Sequence, residues 1–93
     1  MTSIQHLAHA RPYERDRTYN LFRNRPRPEL LCAVPEDHPV PSFLGPEEWV
    51  FEQALRPSDP PPPGFNDRAA CTGVRFNGLY LFQVTVSHER MAA

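Results

Sequence analysis

The chain has 93 residues, and 40% of them are hydrophobic, including six Phe, three Tyr and one Trp. This length suits one small domain, and the apolar content supplies a core and argues against full disorder. The net charge of −1 excludes a global electrostatic field that would gather nucleic acid. Twelve prolines and a mean hydropathy of −0.56 predict long irregular stretches.

The choice of basic residues indicates the type of genome that encodes the chain. All ten are arginine, lysine is absent, and Ala and Pro are frequent, which is a bias typical of GC-rich genomes. No charged segment followed by an apolar run marks a signal peptide, and no apolar stretch approaches the length of a membrane span. We therefore expect a cytoplasmic bacterial protein with reduced cysteines and no membrane contact.

Two strands are predicted near the N-terminus. Residues 1–15 are polar and mixed, so we expect a loosely ordered segment. The aromatic and apolar residues of Thr18–Arg23 favour a strand. The run Leu30–Val34 is apolar and bounded by prolines, as in a buried strand. Since "NRPRP" separates the two, an antiparallel hairpin is expected.

Residues 46–55 carry signals for both a helix and a strand. Pro46 suits the first helical position, and the acidic residues that follow complement the helix dipole. Apolar residues recur at helical spacing at Val50, Phe51, Ala54 and Leu55. Trp49 and Phe51, which alternate around Val50, fit a strand instead. Helix is the favoured interpretation.

The segment "RPSDPPPPGFND" contains four consecutive prolines. Such a run favours polyproline II, which docks into aromatic grooves at low entropic cost. A flexible linker is the weakest alternative, because proline stiffens the chain. The favoured interpretation is a stiff loop inside one domain, between the element at 46–55 and the C-terminal region.

The last part of the domain is predicted as a short helix followed by a hairpin. Asn66 or Asp67 caps a helix that runs through Cys71, and Gly73 ends it. Asn77-Gly78 is the preferred pair for a tight type I′ turn. It would join a strand at Val74–Phe76 to a central strand at Leu79–Val86.

The predicted fold class is therefore α+β. A small antiparallel sheet of three to four strands carries one or two short helices, with long proline-rich loops. The expected organisation is a loose segment at 1–15, a single domain at 16–87 and a frayed tail at 88–93.

Cysteine and histidine give a weak case for a metal or thiol site. A zinc site needs closely spaced ligand pairs, and His6 and His9 form the one close pair. The other candidate ligands are scattered along the chain: Cys32, His38, Cys71 and His88. Cys32 lies in a predicted buried strand, where a thiol is inert. No catalytic residue, metal or cofactor is therefore assigned, and no enzymatic activity is expected.

Nucleic-acid binding rests on the segment 11–27, where arginines are interleaved with aromatic residues. The candidate contacts to a single strand are Arg23, Arg25, Arg27 and Tyr19. The segment 1–28 carries six arginines against two acidic residues, whereas 29–59 carries seven acidic residues against one arginine. The chain as a whole is slightly acidic, so nucleic acid is an alternative partner only.

The favoured function is a non-catalytic protein–protein interaction module. Few polar residues converge in the sequence, and a domain of this size seldom holds a deep pocket. The aromatic content is high for a thin core, which predicts aromatic residues at an interface with another protein or a second copy. The candidate interaction surface comprises Trp49, Phe43, Phe65, Pro60, Pro61, Pro62 and Pro63.

Overall fold

A computed structural model describes residues 15–84, which form four strands and one helix. In chain order these are β1 (Tyr19–Asn24), β2 (Leu30–Pro35), β3 (Trp49–Leu55), α1 (Asp67–Asn77) and β4 (Tyr80–Gln83). All strand pairs are antiparallel, and the strand order is β3-β1-β2-β4. The predicted α+β class is confirmed. Within residues 15–84, no helix is long and apolar enough to cross a membrane.

The predicted hairpin of β1 and β2 is confirmed. Its register runs from Tyr19 opposite Pro35 to Arg23 opposite Leu31. At the turn, the Asn24 side chain accepts a hydrogen bond of 2.9 Å from the backbone N–H of Arg27. This side chain therefore replaces a backbone acceptor where the prolines interrupt the ladder.

The preference for a helix at 46–55 is wrong, because Trp49–Leu55 is a strand. Only a tight turn precedes it, in which the carbonyl of Gly45 accepts from the N–H groups of Glu48 and Trp49. β3 pairs with β1 through an irregular register between Leu21 and Phe22. This pairing gives hydrogen-bond partners to the backbone groups on the side of β1 that faces away from β2. No pattern within a short stretch of sequence indicates that β1 requires a second partner strand.

The helix α1 begins as predicted and ends later than predicted. The side chain of Asn66 caps it by accepting 2.8 Å from the N–H of Ala69. The helix continues through Gly73, so the strand predicted at Val74–Phe76 is wrong. Gly78 ends it with φ of 80°, and its N–H donates to the Val74 carbonyl. A type I′ turn and a helix C-terminus both favour glycine with positive φ, which explains the error.

The last strand was correctly predicted as a strand and wrongly placed in the sheet. β4 spans four residues and lies at the edge beside β2. Apolar residues on both of its faces favour a central position, but Leu81 is 48% exposed. The predictions for residues 1–14 and 85–93 lie outside the described residues.

The sheet buries apolar residues on both faces. The helix-side core lies under α1 and contains Tyr19, Leu21, Leu31, Ala33, Leu55, Ala70, Val74 and Phe82. The loop-side core lies on the opposite face, and its buried members are Cys32, Val34, Leu44 and Trp49. Leu44 belongs to the loop 36–48, which joins β2 to β3. One face is thus covered by a helix and the other by a loop.

Candidate functional site

A row of apolar residues crosses all four strands on the loop side of the sheet. The register places Phe51 opposite Phe22, Phe22 opposite Cys32, and Cys32 opposite Leu81. Cys32 is fully buried, whereas Phe51 is 54% and Leu81 48% exposed. The loop therefore covers the centre of the face and leaves both ends of the row open to solvent.

The loop itself adds a third exposed apolar side chain. Phe43 is 51% exposed and meets the Trp49 ring edge-on, with 6.1 Å between the ring centroids. Phe51 meets Phe22 in the same way at 5.9 Å. We call Phe43, Phe51 and Leu81 the loop-side patch. Phe43 and Phe51 each pack against a buried or half-buried aromatic ring, which restricts their orientation.

The structure divides the aromatic residues predicted for the interaction surface. Phe43 lies on the surface. Trp49 is buried in the loop-side core at 8% exposure. Phe65 is half-buried, and its ring meets three others edge-on: those of Tyr19, Tyr80 and Phe82. Trp49 and Phe65 therefore stabilise the two cores, which corrects their assignment as exposed anchors.

Phe51 and Leu81 were missed as surface residues. The sequence shows them as members of apolar runs, and such runs indicate burial on both faces. Both residues lie on edge strands, where neighbouring cover is incomplete. Their exposure follows from strand order, which sequence periodicity does not report.

The proline run lies in a segment with turns at both ends. Pro60 and Pro63 are exposed, whereas Pro61 and Pro62 are half-buried. The carbonyl of Pro62 accepts 3.1 Å from the N–H of Phe65. At the other end, the side chain of Arg15 donates to the carbonyls of Arg56 and Asp59, at 2.7 and 3.2 Å.

The arginines predicted to contact nucleic acid make interactions within the fold. Arg23 donates two hydrogen bonds to Glu52, at 2.8 and 2.6 Å. These bonds lower the pKa of Glu52 and raise that of Arg23. Arg25 donates to the carbonyl of Pro46 at 3.3 Å, and Arg27 contacts Glu29 at 3.5 Å.

Tyr19, the aromatic residue predicted to accompany these arginines, belongs to the helix-side core and is 3% exposed. Burial raises the pKa of its phenol, and the nearby charge of Arg17 opposes that shift. A ring packed in this way has no free face for a nucleic-acid base. The stacking role predicted for Tyr19 is therefore not compatible with its position.

The two cysteines have different surroundings. Cys32 is fully buried in β2, and burial raises the pKa of its thiol to about 12. Cys71 is exposed on α1 and lines a cleft together with His38. Within residues 15–84, no three His, Cys, Asp or Glu side chains are grouped as metal ligands. His6, His9 and His88 lie outside those residues.

Comparisons with protein-family models, with curated proteins and with solved structures found no match to this chain.

Proposed function

We propose that this chain is a non-catalytic protein–protein interaction module of the bacterial cytoplasm. It binds through the loop-side patch, and its partner there is a second copy of the same chain. The observation that carries the proposal is the exposure of Phe43, Phe51 and Leu81 by about half each. Removing such apolar surface from water is the main driving force of association.

The charges around the loop-side patch favour a second copy. The loop carries exposed acidic residues at Glu47 and Glu48, and the hairpin turn with exposed Arg25 lies beside it. The backbone N–H of Arg25 donates to the carbonyl of Glu48, at 2.6 Å. In a two-fold dimer the same surface of each copy faces the other. The acidic residues of the loop in one copy can therefore pair with Arg25 of the second copy.

Pairing through the face is favoured over pairing through the sheet edge. The outer edge strand β3 has an irregular register near Phe22 and carries the charged side chain of Glu52. Bulges and charges on an edge strand oppose the addition of another strand. The net charge of −1 leaves little overall repulsion between copies.

Nucleic acid is a weaker candidate partner on this geometry. Tyr19 is in the core, and the guanidinium of Arg23 is already occupied by Glu52. The free energy needed to break this ion pair would reduce the free energy gained when Arg23 binds a phosphate.

The proposal is tested by sedimentation equilibrium over a concentration series. We expect the weight-average mass of the wild-type chain to rise from 10.7 kDa toward twice that value. Phe51→Ser and Leu81→Ser should each shift the rise to higher concentration. The matched control is Phe76→Ser, because Phe76 is 75% exposed but lies on α1, away from the loop-side patch.

Two results would contradict the proposal. One is a wild-type mass that stays at that of the monomer throughout the series. The other is a Phe76→Ser variant that dissociates as readily as the two patch variants, since association would then depend on general hydrophobicity and not on this face.

A further inference from the structure

A cleft of about 450 Å³ opens beside α1, and none of its described lining residues belongs to the loop-side patch. Its described lining comes from three parts of the chain: the segment before β1, the turn after β2, and one face of α1. The lining residues are Asp16, Arg17, His38, Cys71, Val74 and Arg75. Nearly all of them are polar or ionisable, in contrast to the apolar surface used for association.

The hairpin register brings the first two parts together. Because Tyr19 is opposite Pro35, the residues before β1 lie beside the residues after β2. The N–H of Glu36 donates to the carbonyl of Thr18 at 3.0 Å, so the two segments remain hydrogen-bonded one residue beyond the ends of the strands. Arg17 and His38 are therefore neighbours in the fold, although 20 residues separate them in the sequence.

The helix supplies the remaining wall. Cys71 and Arg75 are four residues apart, so their side chains lie on one face of α1. Val74 is buried between the helix and the sheet and closes the floor with an apolar surface. Arg75 lies in the last turn, where its charge also complements the negative end of the helix dipole.

The charges in the cleft favour an anion. Two arginines line the cleft, whereas Asp16 is the one acidic residue in its described lining. Among residues 15–84, neither Arg17 nor Arg75 forms a salt bridge, whereas Arg15, Arg23 and Arg27 each have an acidic partner. A guanidinium presents a planar fork of donors that matches two oxygens of a phosphate or carboxylate.

The geometry points to a binding site for a small oxyanion, a phosphate or a carboxylate group, held between Arg17 and Arg75 with the His38 imidazole as a further donor. The exposed thiol of Cys71 lies in the same cleft, so a bound anion sits against it. This site is independent of the loop-side patch and of the oligomeric state of the chain.

Cys71 provides a direct probe, because Cys32 is fully buried and does not compete. The thiolate attacks a disulfide reagent, forms a mixed disulfide and releases the reagent's second half as a thiolate. We compare 5,5′-dithiobis(2-nitrobenzoate), which carries two carboxylates, with neutral 4,4′-dithiodipyridine. The measured quantity is the ratio of the two labelling rates, and Cys71→Ser should remove the labelling itself.

The arginine variants test the site. In Arg17→Gln/Arg75→Gln the ratio of anionic to neutral labelling should fall about tenfold, because each guanidinium attracts only the charged reagent. Arg25→Gln/Arg27→Gln is the matched control, since both arginines are exposed in the turn at the opposite end of β1 and neither lines the cleft. These residues are at least partly exposed, so the variants should fold, and circular dichroism checks that they do.

Protection experiments identify the ligand. Inorganic phosphate and acetate are each added at the ionic strength of a chloride reference, which separates specific binding from screening. Stronger protection by phosphate assigns the site to phosphate groups, and stronger protection by acetate assigns it to carboxylates. The inference is overturned if neither protects Cys71 beyond chloride. It is equally overturned if Arg25→Gln/Arg27→Gln lowers the labelling ratio as much as Arg17→Gln/Arg75→Gln does.

Discussion

The guanidinium of Arg15 lies over the ring of Phe65, 5.6 Å from its centroid. The same side chain is 4% exposed and pairs with Asp67 at 2.8 Å. It also donates to the carbonyls of Arg56 and Asp59. Arg15 thus joins the segment before β1 to both ends of the proline loop and to the first turn of α1.

Replacing Arg15 should lower the free energy of unfolding by more than a substitution on the surface does. Arg15→Gln removes the cation–π contact, the ion pair with Asp67 and the donor to two loop carbonyls, so we expect a loss of about 2 kcal/mol in the free energy of unfolding. Urea denaturation followed by circular dichroism measures it. Arg17→Gln is the control and should change stability by less than about 0.5 kcal/mol. A loss below about 0.5 kcal/mol for Arg15→Gln would show that the contacts of Arg15 do not stabilise the fold.

The cap of α1 gives a second prediction. Asn66→Ala removes the acceptor for the Ala69 N–H and should destabilise the protein by about 1 kcal/mol. Asn66→Asp keeps an oxygen at the cap and should retain most of the stability. Thermal denaturation of both variants checks this. If Asn66→Asp lost as much as Asn66→Ala, the hydrogen bond at the cap would not be the source of the effect.

Gly73 gives a prediction opposite to helix propensity. Alanine is favoured over glycine inside a helix by about 1 kcal/mol. Here, however, a Cβ at position 73 would lie 3.0 Å from the Leu79 carbonyl oxygen and 3.4 Å from the Tyr80 ring. We therefore expect Gly73→Ala to lower the melting temperature, and Gly73→Val to lower it further. The exposed helical site of Thr72 is the control, where Thr72→Ala should be neutral or stabilising. A stabilised Gly73→Ala variant would contradict the close approach of α1 to β4.

The buried thiol of Cys32 predicts a loss of stability at alkaline pH. Burial raises its pKa from 9.0 to about 12, so the folded state holds the proton longer than the unfolded state does. The contribution of the protonated thiol to the free energy of unfolding is therefore complete below pH 9 and is lost as the pH rises from 9 toward 12. The slope for one such proton is about 1.4 kcal/mol per pH unit.

Cys32→Ala removes the titrating group and should flatten this alkaline dependence in urea denaturation. Some slope should remain above pH 10, because burial also raises the pKa of Tyr19. Cys71→Ser is the control, since it removes an exposed thiol. If Cys32→Ala and wild type lost stability in parallel between pH 9 and 12, the thiol would not be the group responsible.

Local sequence signals determined the elements that depend on near neighbours. The hairpin of β1 and β2 followed from two apolar runs separated by prolines, and the Asn66 cap followed from a polar residue before a helical pattern. In both cases residues close together in the chain make the hydrogen bonds that define the element. The α+β class was accessible for the same reason. The strand after Gly78 was recognised from its apolar residues, although its partner β2 is distant in the chain.

Only the tertiary structure decided two elements for which the local signals indicated the wrong structure. Trp49–Leu55 is a strand because β1 has a second edge to pair, and Val74–Phe76 is helical because Val74 packs against the sheet. Strand order placed Phe51 and Leu81 on edge strands, and the loop 36–48 covered Trp49. The hairpin register and the packing of α1 brought Arg17, His38 and Cys71 to one cleft. Side-chain alternation and helical spacing describe faces of isolated elements, whereas burial and juxtaposition depend on which faces meet.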